Sequence, residues 1–122
     1  MELGNVPNFA MTASSMWDRN HAPYFGRLNM LRRDGHVGSW SSRYNAIGQW
    51  LQVDFGTTVD VTKIATQGRA DWNQWVTGYA IAYSYNLSAW QFYQDGVVSN
   101  TKRKRIPFGK FLSQFSRKKM RI

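Results

Sequence analysis

Residues 49–55 read QWLQVDF, a short apolar run that groups Trp, Leu, Val and Phe between Gly48 and Gly56. Branched and aromatic side chains bounded by glycines are typical of a β-strand. A second run at residues 75–84, WVTGYAIAYS, alternates along its length with the period of two that a strand requires. These two runs predict a β-rich protein.

Weaker strand patterns lie on either side of the two runs. Residues 59–66 (VDVTKIAT) are β-branched and follow a predicted turn at residues 55–58 (FGTT). Residues 89–94 (AWQFYQ) are predicted as a return strand, and residues 10–15 (AMTASS) as a short first strand. Short strands separated by turns indicate an antiparallel sandwich or barrel.

The chain has 122 residues, which allows one domain, and its net charge is +9. Residues 1–99 hold as many basic as acidic side chains, so the whole net charge lies in residues 100–122. Overall charge therefore gives no reason to place a nucleic-acid interface in residues 1–99. The chain contains no cysteine, which excludes disulfides, thiolate zinc sites and a cysteine nucleophile.

Three long segments between the strands are both polar and aromatic. We call them the first loop (residues 16–26, MWDRNHAPYFG), the second loop (residues 32–48, RRDGHVGSWSSRYNAIG) and the third loop (residues 68–74, GRADWNQ). Loops of this length that carry aromatic residues are typical of binding surfaces.

Several of these segments also match, in order, the motifs of a known family. The motifs are TASS (12–15), GRLN (26–29), GSW (38–40), QWLQVDFG (49–56), VTKIATQGR (61–69), NQWVTGYAIAYS (73–84) and W..Y.DG (90–96). Over residues 3–98 the chain thereby resembles the discoidin family, also called the coagulation factor V/VIII type C domain.

The resemblance implies an all-β fold, an antiparallel jelly-roll-like β-sandwich of the galactose-binding-like kind, with loops projecting at one end. It implies a non-enzymatic binding or adhesion module that recognises carbohydrate, phospholipid or a cell-surface protein through those loops. It also implies an extracellular or cell-surface location. No signal peptide is visible at the start of the sequence, so we expect the chain to be a fragment.

The sequence departs from the family in two ways. The family often carries cysteines, one of them where this chain has Ser41. After residue 98 the resemblance is lost. We therefore predict a discoidin-type domain at residues 3–98 and a basic tail, unrelated to the family, at residues 99–122. The sandwich is then expected to be incomplete at its C-terminus. An alternative exon or a shifted reading frame would produce such a tail.

The tail also suggests an alternative function. Its apolar residues have the spacing of a basic amphipathic helix, although Pro107 and Gly109 disfavour one; they are Phe108, Phe111, Leu112 and Phe115. Residues 102–105 (KRKR) suit nuclear import or a nucleic-acid patch. In this alternative, a truncated domain associates with membranes or nucleic acid electrostatically through its tail.

Candidate ligand-binding residues lie on all three loops: Trp17, His21, Tyr24, Phe25, Arg32, Arg33, His36, Arg69, Asp71, Trp72 and Asn73. Aromatic tips beside arginine suit an anionic membrane, where the ring inserts at the interface and arginine meets phosphate. They equally suit a sugar, whose C–H face stacks on an aromatic ring. In the competing interpretation, Trp17, Tyr24 and Trp72 merely pack at the ends of the sandwich.

Other residues are predicted to have structural roles or to be modified. Four tryptophans inside strands or family motifs are core candidates: Trp40, Trp50, Trp75 and Trp90. Asp54 lies in an apolar strand and needs a partner if buried, for which Arg27 and Arg69 are available. Asn86-Leu87-Ser88 is a glycosylation sequence at a predicted hairpin turn.

Catalytic and metal chemistry are not indicated. The sequence has no phosphate-binding loop and no serine-centred nucleophile motif, so no enzyme is predicted. Asp18 and His21 are three residues apart, without further clustered ligands, and do not specify a transition-metal site. No cofactor is predicted; some members of the family carry calcium, but no residue pattern here specifies it.

Overall fold

The computed structural model describes residues 6–62, 64–69, 71–76 and 78–93, and the strand at residues 106–116. Its strands are β1 (Met11–Ala13), β2 (Gln49–Val61), β3 (Gly78–Ser84), β4 (Gln91–Phe92) and β5 (Ile106–Ser116). Short 3-10 helices cover Asn8–Ala10, Arg19–His21 and Pro23–Gly26. The predicted all-β class is confirmed. No helix in these described ranges is long and apolar enough to cross a bilayer.

The described strands pair antiparallel in the order β1-β2-β5-β3-β4. Because β5 pairs with both β2 and β3, those two strands run in the same direction. Gln49 lies opposite Phe115 and Gly78 opposite Ser116, so β2 and β3 begin at the same end of the sheet. β1 ends at the same place, since Ala13 pairs with Leu51. We call this end of the sheet the loop end, because the first loop follows β1, the second loop precedes β2 and the third loop precedes β3.

Part of the predicted basic tail is a strand of this sheet. Ile106–Ser116 form β5, so the helix suggested by the apolar spacing there is wrong. Pro107 and Gly109 oppose a helix, and a short isolated helix is marginal in water, whereas β5 gains backbone partners on both of its sides. The KRKR segment lies outside the described residues, and the domain boundary after residue 98 stays a prediction.

The predicted turn at FGTT is an irregularity inside β2. The register with β5 shifts between Asp54 and Val59, and Gly56 has a φ of 72°. The strand continues to Val61 instead of reversing. An extra unpaired stretch with a left-handed glycine is the behaviour of a β-bulge, so the prediction of a turn is wrong.

The core lies where the second loop covers the sheet. Its buried cluster consists of Met11, Trp40, Leu51, Val53 and Ile81. Trp40 is 1% exposed and its indole N–H donates to the carbonyl of Ser15 at 2.9 Å. Burial of a large aromatic ring with its polar atom satisfied contributes strongly to a core.

The other predicted core tryptophans are less buried. Trp50 and Trp90 are half-buried. Trp75 is 54% exposed, so the prediction that it belongs to the core is wrong. Trp75 precedes β3 instead of lying within it, which leaves the indole beside the third loop and in contact with solvent.

The two partners predicted for Asp54, Arg27 and Arg69, are wrong. Asp54 accepts a hydrogen bond from the amide of Gly56 at 2.8 Å, within the bulge. Arg27 donates instead to the carbonyls of Val6 (2.6 Å) and Tyr24 (2.7 Å), which anchors the segment before β1. Arg69, in the third loop, contacts Asp71 of its own loop and His21 of the first loop instead.

The position of β5 generates a test of the fold. Without residues 106–122, β2 and β3 lose the strand that joins them, and their edges are exposed. We expect the shortened chain to show no cooperative urea unfolding transition by circular dichroism. The matched control lacks only residues 117–122 and keeps β5, and we expect it to unfold cooperatively. Equal cooperativity in both shortened chains would contradict the topology.

Candidate functional site

Backbone hydrogen bonds hold the first and second loops together. The amide of Trp17 donates to the carbonyl of Ser41 at 2.8 Å, and the amide of Ser41 donates to the carbonyl of His21 at 3.3 Å. The amide of Val37 donates to the carbonyl of Asn20 at 3.2 Å. The two loops are therefore positioned by main-chain contacts that do not depend on side-chain identity.

The third loop closes on itself. The amide of Arg69 donates to the carbonyl of Gln74 at 2.9 Å, and the amide of Gln74 donates to the carbonyl of Trp72 at 2.7 Å. This tight turn leaves Trp72 at its tip, where the side chain is 67% exposed.

A polar network joins the first loop to the third. Asp18 Oδ1 lies 2.6 Å from His21 Nδ1, and His21 Nε2 lies 3.2 Å from Arg69 Nη1. Arginine can only donate, so His21 Nε2 accepts and Nδ1 carries the proton that is donated to Asp18. The Arg69 guanidinium also makes a two-pronged contact with both carboxylate oxygens of Asp71. His21, predicted as a ligand contact, is 8% exposed and lies beneath the surface.

Both carboxylates of this network are held in the ionised form. The hydrogen bond from His21 lowers the pKa of Asp18, and the hydrogen bond from Arg69 lowers the pKa of Asp71. Arg32 of the second loop lies 3.7 Å from Asp71 and is largely exposed, so this second ion pair of Asp71 adds little rigidity.

Above the network the three loops form a cleft of about 340 Å³. Its lining residues are Trp17, Ser42, Arg43, Asn45, Trp72, Asn73 and Gln74. Trp17 is 57% exposed and Trp72 is 67% exposed, so both indoles are open to solvent. The cleft thus combines flat apolar surfaces with amide donors and acceptors and one guanidinium.

The second loop begins with a narrow hairpin. Arg33 and His36 exchange backbone hydrogen bonds of 3.2 and 2.8 Å across Asp34 and Gly35, which both have positive φ. Two left-handed residues in a two-residue connection are typical of a type I′ turn. The His36 ring stacks on Phe25 with centroids 4.3 Å apart, which ties this hairpin to the first loop.

The structure brings part of the predicted set together. Trp17, Trp72 and Asn73 line the cleft. An adjoining open recess of about 540 Å³ is lined by Arg69, Asp71, Trp72 and Asn73. The remaining predicted residues lie elsewhere: Tyr24 packs on the core, Phe25 and His36 are half-buried against each other, and Arg32 and Arg33 are exposed near the hairpin.

Sequence reasoning missed four residues of the cleft: Ser42, Arg43, Asn45 and Gln74. The first three occupy the middle of the second loop, after the GSW motif, where no periodic signal marks a functional residue. Their proximity to Trp72 arises from tertiary structure. Within the described residues, no three potential metal-ligating side chains cluster together.

Comparison with known proteins gives one family match and several relatives. The family model for the F5/8 type C domain matches residues 10–114. Rat lactadherin is 31% identical over 131 residues, which cover 96% of this chain and 31% of lactadherin. The chain thus spans about a third of the length of that relative.

Solved structures share the fold. Discoidin II from Dictyostelium discoideum superposes with a TM-score of 0.80 at 22% identity, covering 91% of this chain and 51% of that one. A Clostridium perfringens domain, solved in complex with GalNAc-β-1,3-galactose, superposes with a TM-score of 0.65 at 13% identity, covering 96% and 99%. These likenesses show the β-sandwich fold that the sequence predicts.

The Asp71 contact predicts a pH dependence of stability. A carboxyl whose pKa is lower in the folded than in the unfolded chain stabilises the fold above its unfolded pKa, about 3.9. That stabilisation is lost as the pH falls through the lower, folded value. We therefore expect the Tm of Asp71→Asn to fall less than the wild-type Tm between pH 6 and about pH 2.

The matched control is Asp60→Asn, which removes an exposed carboxylate of β2 and changes the net charge equally. We expect its Tm to follow the wild-type pH dependence. Thermal unfolding followed by circular dichroism measures all three proteins. Parallel curves for wild type and Asp71→Asn would contradict the role of the Arg69–Asp71 contact.

Proposed function

The chain belongs to the F5/8 type C domain family, and we propose that it is an extracellular, non-enzymatic module that binds carbohydrate in the cleft between Trp17 and Trp72. The observation that carries this proposal is the composition of the cleft. Two exposed indoles stand beside Asn45, Asn73 and Gln74, whose amides can donate and accept hydrogen bonds.

This combination matches the chemistry of a sugar. A pyranose ring has an apolar C–H face that packs on a flat aromatic ring, and hydroxyls at its edge that exchange hydrogen bonds with amides. Arg43 adds donors for a sugar oxygen or for a carboxylate substituent. A volume of about 340 Å³ is at the small end of ligand sites, which favours a terminal sugar or a short oligosaccharide.

The fixed loops favour binding without rearrangement. Arg69 contacts His21 of the first loop and Asp71 of its own loop, which limits relative movement of the two indoles. A preformed site loses less conformational freedom when the ligand binds. The sugar complex of the Clostridium perfringens domain, which shares the fold, supports carbohydrate as the ligand class.

Anionic phospholipid is a second candidate, favoured by a different surface. Leu31 is 55% exposed and is followed by Arg32 and Arg33, both exposed, at the edge of the second-loop hairpin. An apolar side chain beside two guanidinium groups suits a membrane surface, where leucine enters the interface and arginine meets phosphate. A surface protein docking on the same loops is the further alternative.

Substitution of the cleft tryptophans tests the main proposal. We expect Trp72→Ala and Trp17→Ala each to weaken binding of the best glycan from a glycan array by roughly tenfold or more, since each removes a stacking surface. Trp75→Ala is the control, because Trp75 is 54% exposed yet does not line the cleft. Titration calorimetry measures the affinities. Equal losses in all three variants would contradict the cleft as the site.

Salt dependence separates the carbohydrate proposal from charge-driven association. Binding through neutral hydroxyls should change little between low and high salt, whereas binding through arginines or the basic tail should fall steeply. We expect the first behaviour for the glycan ligand. The phospholipid candidate replaces the carbohydrate one under a different set of results. The glycan array would show no binding, phosphatidylserine vesicles would bind, and the double variant Arg32→Ala, Arg33→Ala would abolish that vesicle binding.

A further inference from the structure

We propose that Asn86 carries an N-linked glycan at the end of the sheet opposite the cleft. The inference rests on the extracellular location in the proposed function. Asn86-Leu87-Ser88 is the one Asn-X-Ser/Thr sequence in the chain, and it begins two residues after the end of β3 at Ser84. Asn86 and Ser88 are both exposed.

Hydrogen bonds fix the orientation of the Asn86 amide. Its Oδ1 accepts from the backbone amides of Ser88 (3.1 Å) and Ala89 (3.0 Å), and from the hydroxyl of Ser84 (3.2 Å). Because two backbone N–H groups face this atom, it must be the oxygen and not the nitrogen of the amide. Oδ1 of Asn86 therefore accepts hydrogen bonds within the turn. Nδ2, the atom to which a glycan is attached, points away from these donors.

The turn itself is firmly built. The hydroxyl of Ser84, a residue that is 1% exposed, accepts from the amides of Asn86 (3.2 Å) and Leu87 (3.0 Å). Leu87 has a φ of 65°, the left-handed conformation that reverses the chain. The acceptor site thus lies on a fixed, solvent-facing turn that can hold a bulky sugar without disturbing the core.

The site is far from the cleft. The third loop precedes β3 and Asn86 follows it, so the seven residues of β3 separate them. At about 3.3 Å per residue the strand is roughly 20 Å long. A glycan at Asn86 therefore leaves the loop end free and gives the module a glycosylated face and a ligand-binding face.

Tyr85 supplies a surface for the first sugar. It directly precedes Asn86, is 58% exposed, and makes an edge-to-face contact with Tyr83 at 6.5 Å that orients its ring. A ring fixed beside the attachment point can pack on the apolar face of the first N-acetylglucosamine. We expect this contact to make the glycan stabilising.

The modification is a group transfer with a named co-reactant. Nδ2 of Asn86 attacks the anomeric carbon of the first N-acetylglucosamine in a polyprenyl-diphosphate-linked oligosaccharide. A C–N bond forms, the carbon–oxygen bond to the diphosphate breaks, and polyprenyl diphosphate leaves. The amide loses one proton to a base of the transferase, and nothing is oxidised or reduced.

The test uses the full chain, secreted from eukaryotic cells behind a cleavable signal sequence. Intact-mass spectrometry before and after peptide N-glycosidase F should show loss of one glycan, with conversion of Asn86 to Asp. Asn86→Gln and Ser88→Ala should each abolish the shift, and Ser88→Thr should retain it. Secreted wild-type protein that shows no mass shift overturns the proposal. If Asn86→Gln misfolds, Ser88→Ala still tests it, because that variant keeps the Asn86 side chain and its hydrogen bonds in the turn.

Two further measurements test the placement and the tyrosine contact. Wild type and Ser88→Ala should give the same glycan-array profile, whereas loss of binding in the glycosylated form alone would overturn the placement away from the cleft. Enzymatic deglycosylation should lower the Tm of the wild-type protein, and should lower the Tm of Tyr85→Ala by less. Equal decreases in Tm for the two proteins would overturn the tyrosine contact. A glycosylated protein with a blank array contradicts the proposed function and leaves the modification standing.

Discussion

The burial of Trp40 is the interaction on which the loop end of the molecule depends. This residue belongs to the second loop, packs with Leu51 in the core, and donates its indole N–H to Ser15, just before the first loop. Gly26, at the end of the first loop, lies so close that an added Cβ would be 3.1 Å from the Trp40 Cβ. One side chain thereby joins two loops to the sheet in a chain that has no cysteine to cross-link them.

Further local constraints carry this rigidity outward from the core. Gly38 has a φ of 61°, and a Cβ at that position would lie 2.6 Å from the carbonyl oxygen of Met30. Only glycine therefore fits at this position of the second loop. The Asp18–His21–Arg69–Asp71 network then fixes the first loop against the third. The cleft is thus held in three layers: a buried indole, a polar network and two exposed indoles.

The sequence predicts the sheet better than it predicts the cleft. β2 and β3 follow from their composition and alternation, because those local patterns agree with the burial of Leu51, Val53 and Ile81. β5 does not follow, because its apolar spacing fits a helix and its strand state depends on edges supplied by distant β2 and β3. The bulge at Gly56 likewise has the sequence of a turn, since both use a left-handed glycine. Arg43 and Asn45 give no local signal because they line the cleft only through their nearness to Trp72 in the folded chain.

The place of β5 in the sheet has a consequence for biosynthesis. The ribosome synthesises β1 to β4 before β5, yet β2 and β3 are joined through β5 in the sheet. Phe115 of β5 pairs with Gln49 of β2, and Ser116 of β5 pairs with Gly78 of β3. Pairings between residues so distant in sequence close slowly, and until they close the nascent strands present unpaired edges. The emerging chain should therefore depend on chaperones more than a protein built from sequential hairpins, and its yield should be limited by aggregation of the nascent chain.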